Sequence, residues 1–327
     1  MNPFQPKPNI VFLDAATYGD VPLSRFTERW PCTIHQVTRP REICQRLSGH
    51  SIAVTNKVIM DLAVLNAPEA RDLKLIAVAA TGTDIIDREA TKQRGVKVCN
   101  VPGYATPSVA QFTMALILEL ATRVGRYGEA IKAGAWQRSP VFALLDFPSI
   151  ELKGKKLGIV GHGNIGRAVA EMARSFGMEV LIAARLGTEE PIPPDRISLE
   201  QLFREADIVT LHCPLTPQTQ NLINEQSLSW MKPTAFLINT ARGALVDETA
   251  LIQALRQKRL AAAALDVISR EPPPADHPAI QAASELGNLL VTPHTAWSAR
   301  ESRERLLKEV EENISAFLEG QPRNIVN

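Results

Sequence analysis

Short apolar runs alternate with longer amphipathic stretches from one end of the chain to the other. In the first hundred residues NIVFL, SIAV, KLIAVAA and VKV read as buried strands; KLGIVG, EVLIAA, DIVTLH, AFLIN, AAALDV and NLLVTP read as strands further on. Helix-like segments separate most of them. The βαβ alternation predicts an α/β fold of parallel, doubly wound sheets. The stretch Ser108 to Val124, SVAQFTMALILELATRV, is apolar almost all round and predicts a buried helix, set between domains or subunits. Residues Ala133 to Ile150 form a less regular segment with Trp136, Phe142 and Phe147, which cover either a partner subunit or the chain's own core. The last helix, about Ala299 to Glu319, interleaves charges on one face. The patch EPPPADHP at 271–278 reads as a rigid loop.

With 327 residues, the chain exceeds one ordinary core and predicts two domains. Lys plus Arg is 36 and Asp plus Glu is 35, so no basic excess marks it for nucleic acid. Cys32, Cys44, Cys99 and Cys213 form no CxxC pair and read as reduced thiols. The six histidines show no ligand spacing such as HExxH, so no metal is expected. The apolar run Ile10 to Leu13 is too short for a signal peptide, and the stretch near Met114 to Leu120 is too short to span a bilayer. The expectation is a cytoplasmic protein without a membrane partner.

Gly161-His162-Gly163-Asn164-Ile165-Gly166 is a GxGxxG between the strand KKLGIV and the helix RAVAEMARSFG. In that setting Gly161 permits a tight turn, Gly163 lets a pyrophosphate approach the backbone, and Gly166 lets helix and strand pack closely. The helix N-terminus offers free N–H groups to the anion. An acidic residue about 20 positions on commonly holds the ribose 2′-OH. Here that position is Ala184, and Arg185 follows. No carboxylate repels a 2′-phosphate there, and a guanidinium can pair with one. NADP(H) is therefore favoured over NAD(H).

Reducing a keto acid requires donors for its carboxylate, polarisation of its carbonyl and a proton delivered with the hydride. Arg242 in INTARGALVD, Glu271 in LDVISREPP and His294 in VTPHTAW stand at the ends of later strand-like runs, where open α/β sheets keep their ligands. With ATGTDIID near Gly82, the GHGNIG loop and the NTARG, LDV…EP and PHTAW segments, nearly the whole chain resembles the D-isomer-specific 2-hydroxyacid dehydrogenases. NVPGYATPSVAQ, the LLDFP segment and Trp297 look most like the hydroxypyruvate reductase or glycerate dehydrogenase branch.

The resemblance implies two Rossmann-like domains with a cleft between them. Residues 1–103 plus 298–327 would form the substrate domain, 104–297 the dinucleotide domain, and the protein a homodimer. It implies reduction of hydroxypyruvate or glyoxylate to D-glycerate or glycolate. Arg242 would bind the substrate carboxylate and carbonyl oxygen. His294 would be the acid, and Glu271 would fix its tautomer and stabilise the imidazolium. Thr81 and Gly82 would add backbone donors to the carboxylate. Gly161, Gly163, Asn164, Ile165, Gly166, Arg185, Pro214, Thr219 and Thr240 would line the dinucleotide, with Asp266 facing the nicotinamide carboxamide. The chain departs from many relatives in having Gln111 for Glu, and in lacking an acid at Ala184. Glu271 argues against a formate dehydrogenase, whose pattern has Gln there. A short phosphoglycerate dehydrogenase and a corepressor-like protein that senses the dinucleotide are the remaining readings.

Overall fold

The computed structural model describes residues 8–187 and 191–327. It divides into two compact units, Met1–Ala105 with Ser298–Asn327, and Thr106–Trp297. The first holds five parallel strands: β1 (Ile10–Phe12), β2 (Cys32–Ile34), β3 (Ile52–Thr55), β4 (Leu75–Val78) and β5 (Lys97–Cys99), in the order β2-β1-β3-β4-β5. The pairing sets Ile10 opposite Ile52, Ile52 opposite Leu75 and Ala77 opposite Cys99. Every residue of β1, β3 and β4 is buried, which is why these strands read as unbroken apolar runs. β2 escaped that reading because it is a half-exposed edge strand, Cys-Thr-Ile, with no apolar run. The helix Arg300–Leu318 returns to this unit and buries Leu306, Leu307, Val310 and Ile314. Its Asn313 donates to the Asn100 carbonyl at 2.9 Å, and Arg303 to the Tyr18 carbonyl at 2.6 Å.

The second unit holds six parallel strands: β6 (Lys156–Val160), β7 (Glu179–Ile182), β8 (Ile208–Leu211), β9 (Phe236–Asn239), β10 (Ala262–Leu265) and β11 (Leu289–Val291), in the order β11-β10-β9-β8-β6-β7. The chain turns one way from β6 to β7 and the other way to β8, so the carboxyl end of β6 is the topological switch point, where doubly wound sheets bind ligands. The apolar helix expected over 108–124 runs Thr106–Thr122. It lies in the core of this unit, where Ala110, Met114, Ile117 and Ala121 pack with Ile159, Val169 and Ala173. Ala262, Ala263 and Ala264 make β10 a strand of small buried side chains, which lets helices on its faces approach closely. Among the described residues, no helix is long and apolar enough to cross a membrane.

Candidate active site

The loop Gly161–Gly166 joins β6 to the helix Asn164–Ser175 at the switch point. Its three glycines are required for different reasons. Gly161 has φ +98°, and a Cβ there would stand 2.4 Å from the Cys213 nitrogen and 2.5 Å from the His212 carbonyl carbon. A Cβ on Gly166 would lie 2.2 Å from the Gly161 oxygen. These two are demanded by the fold. Gly163 is not: its φ is −80°, and a Cβ would meet nothing within 4 Å. The empty space above Gly163, at the N-terminus of a twelve-residue helix, fits a pyrophosphate, whose approach a methyl group would block.

A pair of substitutions separates these roles. Gly163→Ala should cost less than about 1 kcal/mol of stability, as befits an N-cap change. It should weaken dinucleotide binding about tenfold or more, the equivalent of one charge-assisted hydrogen bond. Gly161→Ala should destabilise the unit itself. Thermal melting without cofactor and a fluorescence titration with NAD(P)H measure both; unchanged affinity in Gly163→Ala would refute the cradle.

Beyond β7 the chain pairs once more, Ala183 with Ile197, and the Ala184 N–H donates to the Ile197 carbonyl at 2.8 Å. That bridge brings Ala184 and Arg185 to a pocket of about 490 Å³ also lined by Asp195 and Arg196. Arg196 was not legible as a site residue, because only the bridge places it there. It also faces the Gly-rich loop. Partial burial first, then the guanidiniums of Arg196, Arg167 and Arg174, hold His162 below its ordinary range. Arg167 donates to Asn164 Oδ1 at 2.6 Å. The loop therefore sits in a positive field that favours an anion.

Pro214 and Thr219 lie past β8. Thr219 is buried; its Oγ1 donates to the Pro214 carbonyl at 2.7 Å and accepts from the Thr216 N–H at 2.8 Å, folding this loop back on itself. Thr240, past β9, shares a 3.0 Å hydrogen bond with Thr113. Burial pushes the His212 imidazole, at the end of β8, down to about 3, so it adds no charge.

Arg242, Glu271 and His294 follow β9, β10 and β11, three adjacent parallel strands, and so stand at one end of one sheet. Asn239 Nδ2 donates to the Arg242 carbonyl at 2.9 Å, and Arg242 Nη1 to the Ala241 carbonyl at 2.9 Å. His294 Nδ1 lies 2.5 Å from Glu271 Oε2. Glu271 Oε1 accepts from the Ile268 N–H at 3.0 Å. The carboxylate thus takes Nδ1–H and leaves Nε2 as the working nitrogen. His294 has φ +54°, a left-handed backbone that few side chains adopt outside constrained sites. Its turn is held from below by Asp266, which is 1% exposed. Asp266 Oδ1 accepts from Thr292 Oγ1 at 2.6 Å and the Thr295 N–H at 2.9 Å, and Oδ2 from the Ala296 N–H at 2.9 Å. The residue expected to face the nicotinamide also fixes the histidine's turn, a role its isolated position in LDV did not reveal. Chemically, the pair offers an imidazole whose Nδ1 is held by a carboxylate, at the same end of the sheet as Arg242.

Thr81 and Gly82 belong to the first unit, past β4. Thr81 Oγ1 donates to the Val101 carbonyl at 2.8 Å, and Asn100 Nδ2 to the Thr81 carbonyl at 2.7 Å.

Residues 114–296 match the family model described as D-isomer specific 2-hydroxyacid dehydrogenase, NAD binding domain. The chain is 41% identical to a glycerate dehydrogenase of Methylorubrum extorquens, over 88% of either chain. It is 36% identical to a hydroxypyruvate reductase of Blautia hydrogenotrophica, over 89% of either chain. Its fold matches a crystal structure of a Thermus thermophilus protein with a TM-score of 0.86 at 38% identity, covering 98% of this chain and 100% of the other. The chain therefore belongs to the D-isomer specific 2-hydroxyacid dehydrogenases, oxidoreductases that work with a nicotinamide dinucleotide.

Proposed function

We propose that the protein reduces a small 2-keto acid, hydroxypyruvate or glyoxylate, to D-glycerate or glycolate, with NADPH preferred over NADH. The observation that carries this reading is the His294–Glu271 hydrogen bond at the carboxyl end of the sheet whose switch point holds the Gly-rich loop. Relatives named glycerate dehydrogenase and hydroxypyruvate reductase support the substrate class. The corepressor-like reading is not favoured by them.

Gly161 to Gly166, Arg185, Arg196, Pro214, Thr219, Thr240 and Asp266 would hold the dinucleotide, which when bound supplies a hydride. Arg242 anchors the substrate carboxylate and polarises the carbonyl; its planar fork suits a carboxylate better than a point charge does. His294 gives its Nε2 proton to the carbonyl oxygen as the carbonyl carbon gains the hydride, and the Glu271 carboxylate stabilises the imidazolium before transfer. In oxidation the same nitrogen takes the hydroxyl proton.

The segment after residue 133 supports a homodimer. Phe147 is packed edge-on against Tyr127 at 4.9 Å, but Phe142 is 93% exposed, with Val141 and Leu145 exposed beside it. Such a patch is what a partner subunit covers.

Initial rates of NADPH oxidation test the substrate assignment. Hydroxypyruvate and glyoxylate should give higher kcat/KM than phenylpyruvate or 2-ketoisocaproate. The reverse order would overturn it.

A further inference from the structure

Glu271 projects from a segment without regular structure, residues 266–277, between β10 and the helix Pro278–Glu285. Within it the Ile268 N–H holds Glu271 Oε1 at 3.0 Å, and a segment of this kind is more mobile than the elements it joins unless it is tied down. A second polar network closes it at both stems. Glu248, the first residue of the helix Glu248–Arg256, accepts from the Ser269 N–H at 2.6 Å through Oε1 and from Ser269 Oγ at 3.0 Å through Oε2. At the far stem, His277 is 5% exposed, and its Nε2 lies 3.3 Å from Ser269 Oγ and 3.6 Å from Glu248 Oε2. The Ala279 N–H donates to His277 Nδ1 at 3.3 Å. Nδ1 is thus the acceptor, so Nε2 carries the proton and points at Ser269 and Glu248. Every donor in the network has an acceptor: Ser269 N–H and O–H on the two carboxylate oxygens, His277 Nε2–H on the serine oxygen. On its inner side the same stem rests on Gly243, where a Cβ would lie 2.0 Å from the Ile268 carbonyl group. The residue after Arg242 and the loop that carries Glu271 are therefore in direct backbone contact.

We infer that Glu248 is a positioning residue for the acid–base pair. By tying Ser269 and His277 together it fixes the Glu271 carboxylate against His294 Nδ1. This rests on the reading of that pair as the proton donor. Glu248 touches neither reacting atom and acts through the loop. The ionisable groups of the segment itself are Asp266, Arg270, Glu271, Asp276 and His277, and the elements next to it bring Glu248, which bonds Ser269, and Arg242, which precedes Gly243.

The test is the pH profile of kcat/KM for hydroxypyruvate reduction in the full-length enzyme, with dinucleotide affinity measured in parallel. Glu248→Ala should lower kcat on the order of 10- to 100-fold, as misplacement of a catalytic group by about 1 Å does. It should also move the alkaline limb to lower pH, because a displaced Glu271 no longer holds the proton on His294. Dinucleotide affinity should stay within about twofold, since the network lies away from the Gly-rich loop. Glu248→Gln keeps the acceptor for the Ser269 N–H and should recover part of the loss. In a Glu271→Gln background, Glu248→Ala should cost nothing further. Ser269→Ala, which keeps the main-chain bond, gives a milder shift of the same sign and serves if Glu248→Ala does not fold. A wild-type alkaline limb in Glu248→Ala, or equal losses in both backgrounds, overturns the inference. If His294→Ala and Glu271→Gln are themselves silent, the proton-donor reading has failed instead.

Discussion

His294→Ala should lower kcat for keto-acid reduction by at least about 100-fold while dinucleotide affinity stays close to wild type. A positioned acid contributes roughly 10²- to 10⁴-fold, and His294 is the imidazole here that has a carboxylate 2.5 Å behind it. The left-handed backbone at His294, and the three hydrogen bonds by which Asp266 holds its turn, show a fold that constrains this side chain beyond what packing requires. Alanine at a positive φ is strained as well, so a thermal melt must accompany the kinetics; His294→Asn, better suited to that backbone, separates chemistry from folding. A folded variant with near-normal kcat would show that the proton comes from elsewhere.

The second large effect concerns the cofactor. Wild-type enzyme should show a higher kcat/KM for NADPH than for NADH. At Ala184 there is no carboxylate to accept the ribose hydroxyls or to repel a 2′-phosphate, and Arg185 and Arg196 line the same pocket. A well-formed charge-assisted contact contributes about 1.5–3 kcal/mol, which at 1.4 kcal/mol per tenfold is roughly one to two orders of magnitude. Solvent and the neighbouring Asp195 reduce it. Arg185→Ala and Arg196→Ala should each weaken NADPH selectively. Ala184→Asp should shift the preference toward NADH. An enzyme that prefers NADH, with both arginine variants indifferent, would refute this account of the pocket.

What could be read from the sequence follows from how each feature is built. Strands buried on both faces must be apolar throughout, so KLIAVAA and AAALDV announced β4 and β10, whereas half-exposed β2 left no pattern. The Gly-rich loop is local, six consecutive residues after a strand, and was legible whole. That Gly161 and Gly166 are demanded by the fold while Gly163 has open space above it was not, because the difference lies in what surrounds each Cβ position. Glu271 and His294 were legible as candidates through their motifs. Their support was not: Glu248 reaches Ser269 across 21 residues, and Asp266 reaches Thr295 across 29. Arg196 joins Arg185 only through one bridge between Ala183 and Ile197. Contacts of that kind have no spacing to detect.

The most direct measurement uses NADPH carrying deuterium at the transferable C4 position, with hydroxypyruvate as substrate, and analyses the product. Transfer of the hydride to a 2-keto acid by this site predicts deuterium at C2 of glycerate, in the D configuration, with one NADPH consumed per glycerate formed. Glycerate of the L configuration, or stable dinucleotide binding without any turnover of hydroxypyruvate, glyoxylate or a larger keto acid, would contradict it.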